Sequence, residues 1–322
     1  MDFQSAGPSR DELAPLPVSV MLQDSVTDFD LFIDVGGHLL LYAPMPYQWN
    51  AVEIARLMAE GHVQLWYNHR DAGRVMAYRR VNSIGKIDPT LPPAERLLNL
   101  TDLAAELNRI MFHQAATGAT VHKAREISQN LVDCMLEDRT CIRALGRLRD
   151  HHEYTFHHSG RVAAYAIAIA VQMSEVREEN LQDLGLGCLL HDLGKSTVPG
   201  EILNKPGPLN EREWAVIREH PEAGSRILQN ADLNLVPNQV ILHHHERPDG
   251  GGYPHGLVGN ELIEEVRIAS FADVFDALTS NRPFQKTRTR FEALDFIRFH
   301  LLDNLHKGCF KAMVGLYGEQ SA

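Results

Sequence analysis

The sequence predicts a mainly α-helical protein led by a small α+β module. Three observations carry this. Strand-like patterning is confined to the residues before Asp88, three prolines within Asp88–Pro93 close that stretch, and every apolar pattern beyond Pro93 repeats at helical spacing. The chain has 322 residues, more than one typical domain, with 44% apolar and 23% charged residues, an ordinary globular balance that excludes a disordered or collagen-like chain.

Residues 1–17 are polar, Pro-containing and aperiodic, and are expected to form a mobile tail. A small α+β regulatory module is expected over residues 18–88. Within it, Asp30–Val35 and His38–Tyr42 flank Gly36-Gly37, a two-residue linker that reads as a hairpin turn. Asn50 is placed to cap a helix over Ala51–Glu60, and Gly61 suits the position just past its end. His62–Tyr67 and Val75–Val81 read as two further strands around an Asp71-Ala72-Gly73 turn. Residues 89–143 read as a Pro-rich linker and connector helices, with apolar stripes Leu100/Leu103/Leu107/Ile110 and Ile127/Leu131/Cys134. Core packing is the simplest use of these stripes; a homodimer seam is the alternative.

Composition narrows the function classes. Lys plus Arg total 31 against 42 Asp plus Glu, a net charge of −11, which argues against binding a nucleic-acid polymer. Four cysteines without a CxxC pair indicate neither a zinc knuckle nor a disulfide scaffold. The longest apolar run, Val162–Val171, is far short of the roughly 20 residues a membrane span requires. No basic segment followed by an apolar stretch opens the chain, so a cytoplasmic protein is expected.

The chain holds 17 histidines, and ten fall between His151 and His255. Singly they are weak evidence. Together, imidazoles, a His-Asp pair and a distant Asp on separate helices make a ligand set for first-row transition metals, and a carboxylate can bridge two ions. Two ions about 3.5–4 Å apart can hold one hydroxide and polarise a phosphoryl oxygen.

The segments His158-Ser159-Gly160-Arg161-Val162, His191-Asp192-Leu193-Gly194-Lys195 and His244-His245-Glu246-Arg247-Pro248-Asp249-Gly250-Gly251-Gly252-Tyr253-Pro254 resemble the HD-GYP family in order and spacing. So do Val198–Gly207, His220-Pro221 and Ala272–Ser280 between and after them. The resemblance covers residues 144–322. It implies an all-helical HD-type metal-binding bundle that hydrolyses cyclic di-GMP, with two divalent transition metals, iron or manganese, and a hydroxide held between them. The matching metal ligands are His158, His191, Asp192, His220, His244, His245 and Asp273. Asp192 and Lys195 match the catalytic pair, the latter approaching the scissile phosphate. Arg282 and Lys286, with the Gly252-Tyr253-Pro254 loop, match substrate-binding positions. In the family that loop can also engage GGDEF-type cyclases.

Two departures bear on the outcome. Some family members bind a third metal through a Glu four residues before the first histidine; here that position is Tyr154, and Glu153 lies about 100° round the helix. A binuclear site and linear pGpG as the main product are therefore expected. Gln285 stands where a basic residue is usual, which bears on substrate preference. A catalytically weak cyclic di-GMP receptor acting through the Gly-Tyr-Pro loop is the alternative. A phosphohydrolase for nucleotides such as ppGpp is a third reading, disfavoured by that loop.

Overall fold

The structure, a computed structural model, describes residues 8–21, 23, 25–81, 87–114, 116–147, 154–174, 176–280 and 287–318. The chain divides into two compact units, residues 1–86 with 118–123, and residues 87–117 with 124–322.

The first unit holds strands β1 (Leu13–Pro17), β2 (Val26–Thr27), β3 (Leu31–Val35), β4 (His38–Ala43), β5 (Tyr47–Gln48) and β6 (Gln64–Asn68), and helices α1 (Ala51–Ala59) and α2 (Ala72–Val81). An antiparallel sheet runs in the order β1-β6-β3-β4, and β2 pairs with β5. The β3–β4 hairpin turns on Gly36 and Gly37, whose φ angles of 61° and 87° are open to glycine at little cost. Asn50 caps α1 by accepting the Glu53 N–H at 2.9 Å. Leu16, Phe29, Leu31, Trp49, Leu57 and Leu65 form the core of the unit.

Two expectations are corrected here. Residues 13–17 belong to the sheet and not to a tail: Leu13 and Leu16 are buried while Pro15 and Pro17 are exposed. The prolines are tolerated because β1 is an edge strand, where a missing N–H costs no ladder bond. Val75–Val81 is helical, within α2, because its buried residues Val75 and Tyr78 recur three apart, a helix period and not a strand period.

The second unit is all-helical among its described residues. It contains α3 (Pro93–Gln114), most of α4 (Gly118–Glu137), α5 (Tyr154–Met173), α6 (Glu178–Leu190), α7 (Gly200–Leu203), α8 (Glu211–Arg218), α9 (His220–Ile227), α10 (Leu235–His243), α11 (Glu264–Thr279), α12 (Arg290–Phe296) and α13 (Lys307–Gly318). Helix α5 is the centre: α3, α6, α11 and α13 pack on it, and Val162 to Ala170 are buried without a break. A helix apolar on every face must be enclosed. The connector helices are thus part of this unit, and α3 lies directly along α5. Leu100, Leu103, Leu107, Ile127, Leu131 and Cys134 are buried in its core, the simplest use of the two stripes. No described helix is long and apolar enough to cross a membrane.

Candidate metal centre

The predicted ligands arrive from five helices. His158 lies in the first half of α5, His191 and Asp192 follow the end of α6, His220 opens α9, His244 and His245 follow α10, and Asp273 lies in α11. The structure gathers all seven into two groups, Asp192/His220/His244/His245 and His158/His191/Asp273. His158, His191, Asp192, His220 and His244 are buried.

Asp192 stands between the groups. Its Oδ1 lies 3.4 Å from His220 Nε2 and 4.0 Å from His244 Nε2, while Oδ2 lies 3.8 Å from His158 Nε2 and 3.5 Å from His191 Nε2. Asp273 divides likewise, with Oδ1 3.0 Å from His158 Nε2 and Oδ2 3.8 Å from His245 Nδ1. Gly194 allows this approach: a Cβ there would stand 1.9 Å from the His220 carbonyl oxygen, so only glycine lets the turn after α6 meet the start of α9.

The imidazoles are oriented from behind. His191 Nδ1 lies 2.7 Å from the Cys188 carbonyl oxygen, His220 Nδ1 2.7 Å from that of Ile217, and His244 Nδ1 3.0 Å from that of Ile241. His158 Nδ1 instead meets Asp276 Oδ2 at 2.7 Å. A carbonyl or carboxylate on one ring nitrogen assigns it the proton and leaves the other lone pair facing the centre. Asp276 is itself held by the buried Arg161, whose Nε and Nη2 donate at 2.7 and 3.1 Å, and by the Ser280 hydroxyl at 3.1 Å.

The electrostatics follow from burial. Burial lowers the pKa of His191 and His244, and takes His220 down to about 4 and His245 to about 3. They are neutral imidazoles, the ligating form. For His158 burial opposes charge, but the Asp273 and Asp276 carboxylates outweigh it and raise the pKa. For Asp192 burial favours protonation, yet Lys195 and the surrounding imidazoles hold its carboxyl well below the usual range. Asp273 is held down similarly, against burial, by His158, His245 and His191.

The residues fit a pair of divalent ions. Among the described residues, His191 Nε2 and Asp192 Oδ1 are buried atoms without a hydrogen-bond partner, a costly state that a cation between them would relieve. Imidazole and carboxylate donors suit first-row transition metals.

Lys195 donates to Asp192 Oδ2 at 2.6 Å and remains partly exposed. The Tyr253 ring is stacked on that of His245, with centroids 4.7 Å apart, and stands 6.4 Å from His220. Gly252 brings this loop close: a Cβ there would lie 2.4 Å from Glu246 Cα. Arg282, Gln285 and Lys286 lie outside the described residues, as do His151, His152 and Glu153. His157 and His243 belong to neither group; His243 pairs with His255 at 3.2 Å.

Three functional positions escape the sequence reading. Asp276 and Arg161 orient His158, and the spacing signal is that each lies three residues beyond a ligand, one helical turn on. Glu246, buried, accepts the backbone N–H groups of His255, Gly256 and Leu257 at 2.6, 3.1 and 3.1 Å, holding the chain just past Tyr253-Pro254. Helix α3 also reaches the site: Asn108 and Phe112, with Phe156 of α5, line a narrow cleft that ends on Asp192.

An HD domain family model matches residues 146–303. The chain is 39% identical over 189 residues to the cyclic di-GMP phosphodiesterase PA4108 of Pseudomonas aeruginosa, covering 57% of this chain and 45% of that protein. It is 32% identical over 203 residues to the cyclic di-GMP phosphodiesterase response regulator RpfG of Xanthomonas campestris pv. campestris, 61% of this chain and 53% of that one. The 3'3'-cGAMP-specific phosphodiesterase 3 of Vibrio cholerae is 34% identical over 204 residues, 59% of this chain and 44% of that one. The chain thus spans about half the length of the curated relatives it matches. In fold, it is similar to Bd1817, an HDG"Y"P protein from Bdellovibrio bacteriovorus, with a TM-score of 0.64 and 16% identity over 94% of this chain and 99% of that one. With the motifs in order and their side chains gathered at one centre, the chain belongs to the HD-domain family, in its HD-GYP branch.

Proposed function

We propose that this protein is a metal-dependent phosphodiesterase that hydrolyses cyclic di-GMP, with linear pGpG as its main product. The observation that carries the reading is Asp192, whose two oxygens face two separate groups of neutral imidazoles. The names of the relatives support the substrate class, cyclic di-GMP for two and 3'3'-cGAMP for the third.

His220, His244 and His245 would hold one ion and His158, His191 and Asp273 the other, with Asp192 shared. Two divalent ions there, iron or manganese, would supply a nucleophilic water at neutral pH and offset charge on the phosphoryl group. The chain's own residues do the rest. The carbonyls of Cys188, Ile217 and Ile241 and the Asp276 carboxylate keep the ring lone pairs aimed inward before substrate arrives. Lys195 sets the charge of Asp192 and extends to the surface, where its free N–H groups can donate to the phosphoryl oxygens as charge builds on them. Tyr253 walls the side beside His245. In the reaction water adds to phosphorus, the P–O3′ bond breaks and the leaving oxygen takes up a proton, giving a 5′-phosphate and a free 3′-hydroxyl. Tyr154 occupies the position a third-metal Glu would take, which supports a stop at the linear dinucleotide.

The test is turnover on anaerobically purified protein supplied with Fe(II) or Mn(II), with products separated and metal quantified in the same sample. Release of pGpG at about two metals per chain is the expected result. Release of GMP would overturn the product assignment, and tight binding without hydrolysis under either metal would make the protein a receptor.

A further inference from the structure

The cation Arg218 has no use in the site described so far. It ends α8, two residues before His220, and its guanidinium lies 5.7 Å from the centre of the Tyr253 ring and 6.0 Å from that of Trp214. Tyr253 in turn is stacked on His245, so Arg218 stands at the rim of the metal centre, on the side of Tyr253 away from that ring pair.

The neighbouring cations are committed. Lys195 is tied to Asp192, Lys205 to Glu213 through both carboxylate oxygens, and Arg247 to Asp249. Arg218 differs: it is exposed, and among the described residues no carboxylate pairs with it. In a chain with eleven more acidic than basic groups (42 against 31), an unpaired rim guanidinium held only by aromatic faces is conspicuous. Stacking on a ring restrains the guanidinium plane but leaves its in-plane N–H fork free to bind a paired acceptor. Trp214, 45% exposed beside it, widens the same flat surface.

We infer that Arg218 is a substrate-binding residue, gripping the part of a cyclic dinucleotide that projects past the metal centre by donating to a two-oxygen or oxygen–nitrogen acceptor edge. That edge is the second phosphate or the O6/N7 edge of a guanine, both of which accept from an arginine fork. The inference rests on the phosphodiesterase reading and adds a contact from outside the metal ligands and the Gly-Tyr-Pro loop.

The experiment compares intact wild-type, Arg218→Ala and Arg218→Lys proteins, loaded with Mn(II), on cyclic di-GMP and cyclic di-AMP, with metal content measured alongside. Arg218→Ala is expected to raise KM for cyclic di-GMP about tenfold with kcat and metal content unchanged, the size of one lost charge-assisted hydrogen bond. Arg218→Lys should recover part of the loss. An equal loss on both nucleotides assigns the contact to phosphate; a loss confined to cyclic di-GMP assigns it to guanine. An unchanged KM overturns the inference while leaving the phosphodiesterase reading intact. Metal lost from Arg218→Ala also overturns it, since the residue would then support His220. A wild-type protein that neither binds nor cleaves either nucleotide removes the reading and this inference together.

Discussion

The two units of this chain are stabilised in opposite ways. The first encloses Trp49, Phe29, Leu31, Leu57 and Leu65, and its few buried polar groups are satisfied locally, as where Ser25 Oγ meets Tyr78 OH at 2.6 Å. The second also has an apolar spine, in α5, but it buries His158, Arg161, His191, Asp192, His220, His244, Glu246, Asp273 and Asp276 as well. Burying so many ionisable groups opposes folding unless each is paired or ligating. The difference teaches where chemistry resides: one unit is finished by its own packing, while the other carries a centre that its own hydrogen bonds leave incomplete at His191 Nε2 and Asp192 Oδ1.

Asp192→Ala should have the largest effect. It removes the carboxylate common to both groups, so hydrolysis should fall by about a thousandfold or more, with metal content reduced; unchanged turnover in the purified variant would break the assignment. Lys195→Ala should keep its metal and lose about a hundredfold in turnover, the cost of one transition-state donor. Loss of metal from that variant would show Lys195 to be a structural counter-charge. Asp276→Asn should weaken metal binding at the His158 group about tenfold, with the Asp192/His220/His244/His245 group spared, as read by metal titration followed by Co(II) absorption. Equal weakening of both groups would refute a role through His158. Chelation should have the smallest effect, lowering the thermal transition of the helices by a few degrees. Hydrogen exchange should then quicken in α5 and α11 and stay unchanged in β3 and β4; faster exchange in the strands would erase the distinction between the units.

The seven inward-facing side chains are legible in the sequence because each sits in a short motif whose order survives folding. Their supports are less so. Asp276 lies one turn beyond Asp273, and Arg161 one turn beyond His158, yet an Asp and an Arg 115 residues apart give no sign in the chain that they meet. Glu246 is harder still, since its partners are backbone N–H groups nine to eleven residues on. In the first unit the hairpin and the Asn50 cap are readable because turn and cap chemistry is local. Strand β1 is not, since its prolines are acceptable only at a sheet edge, and edge position is a property of the assembled sheet.

The carbonyls that aim His191, His220 and His244 belong to the last turns of α6, α8 and α10, and such carbonyls have no partner within their own helices. Each imidazole therefore closes off a helix end as well as facing the centre. Fraying of any of these ends by a single turn would release the ring and the helix terminus in one event. Local unwinding at three separate places is thereby converted into a single readout, the integrity of the centre.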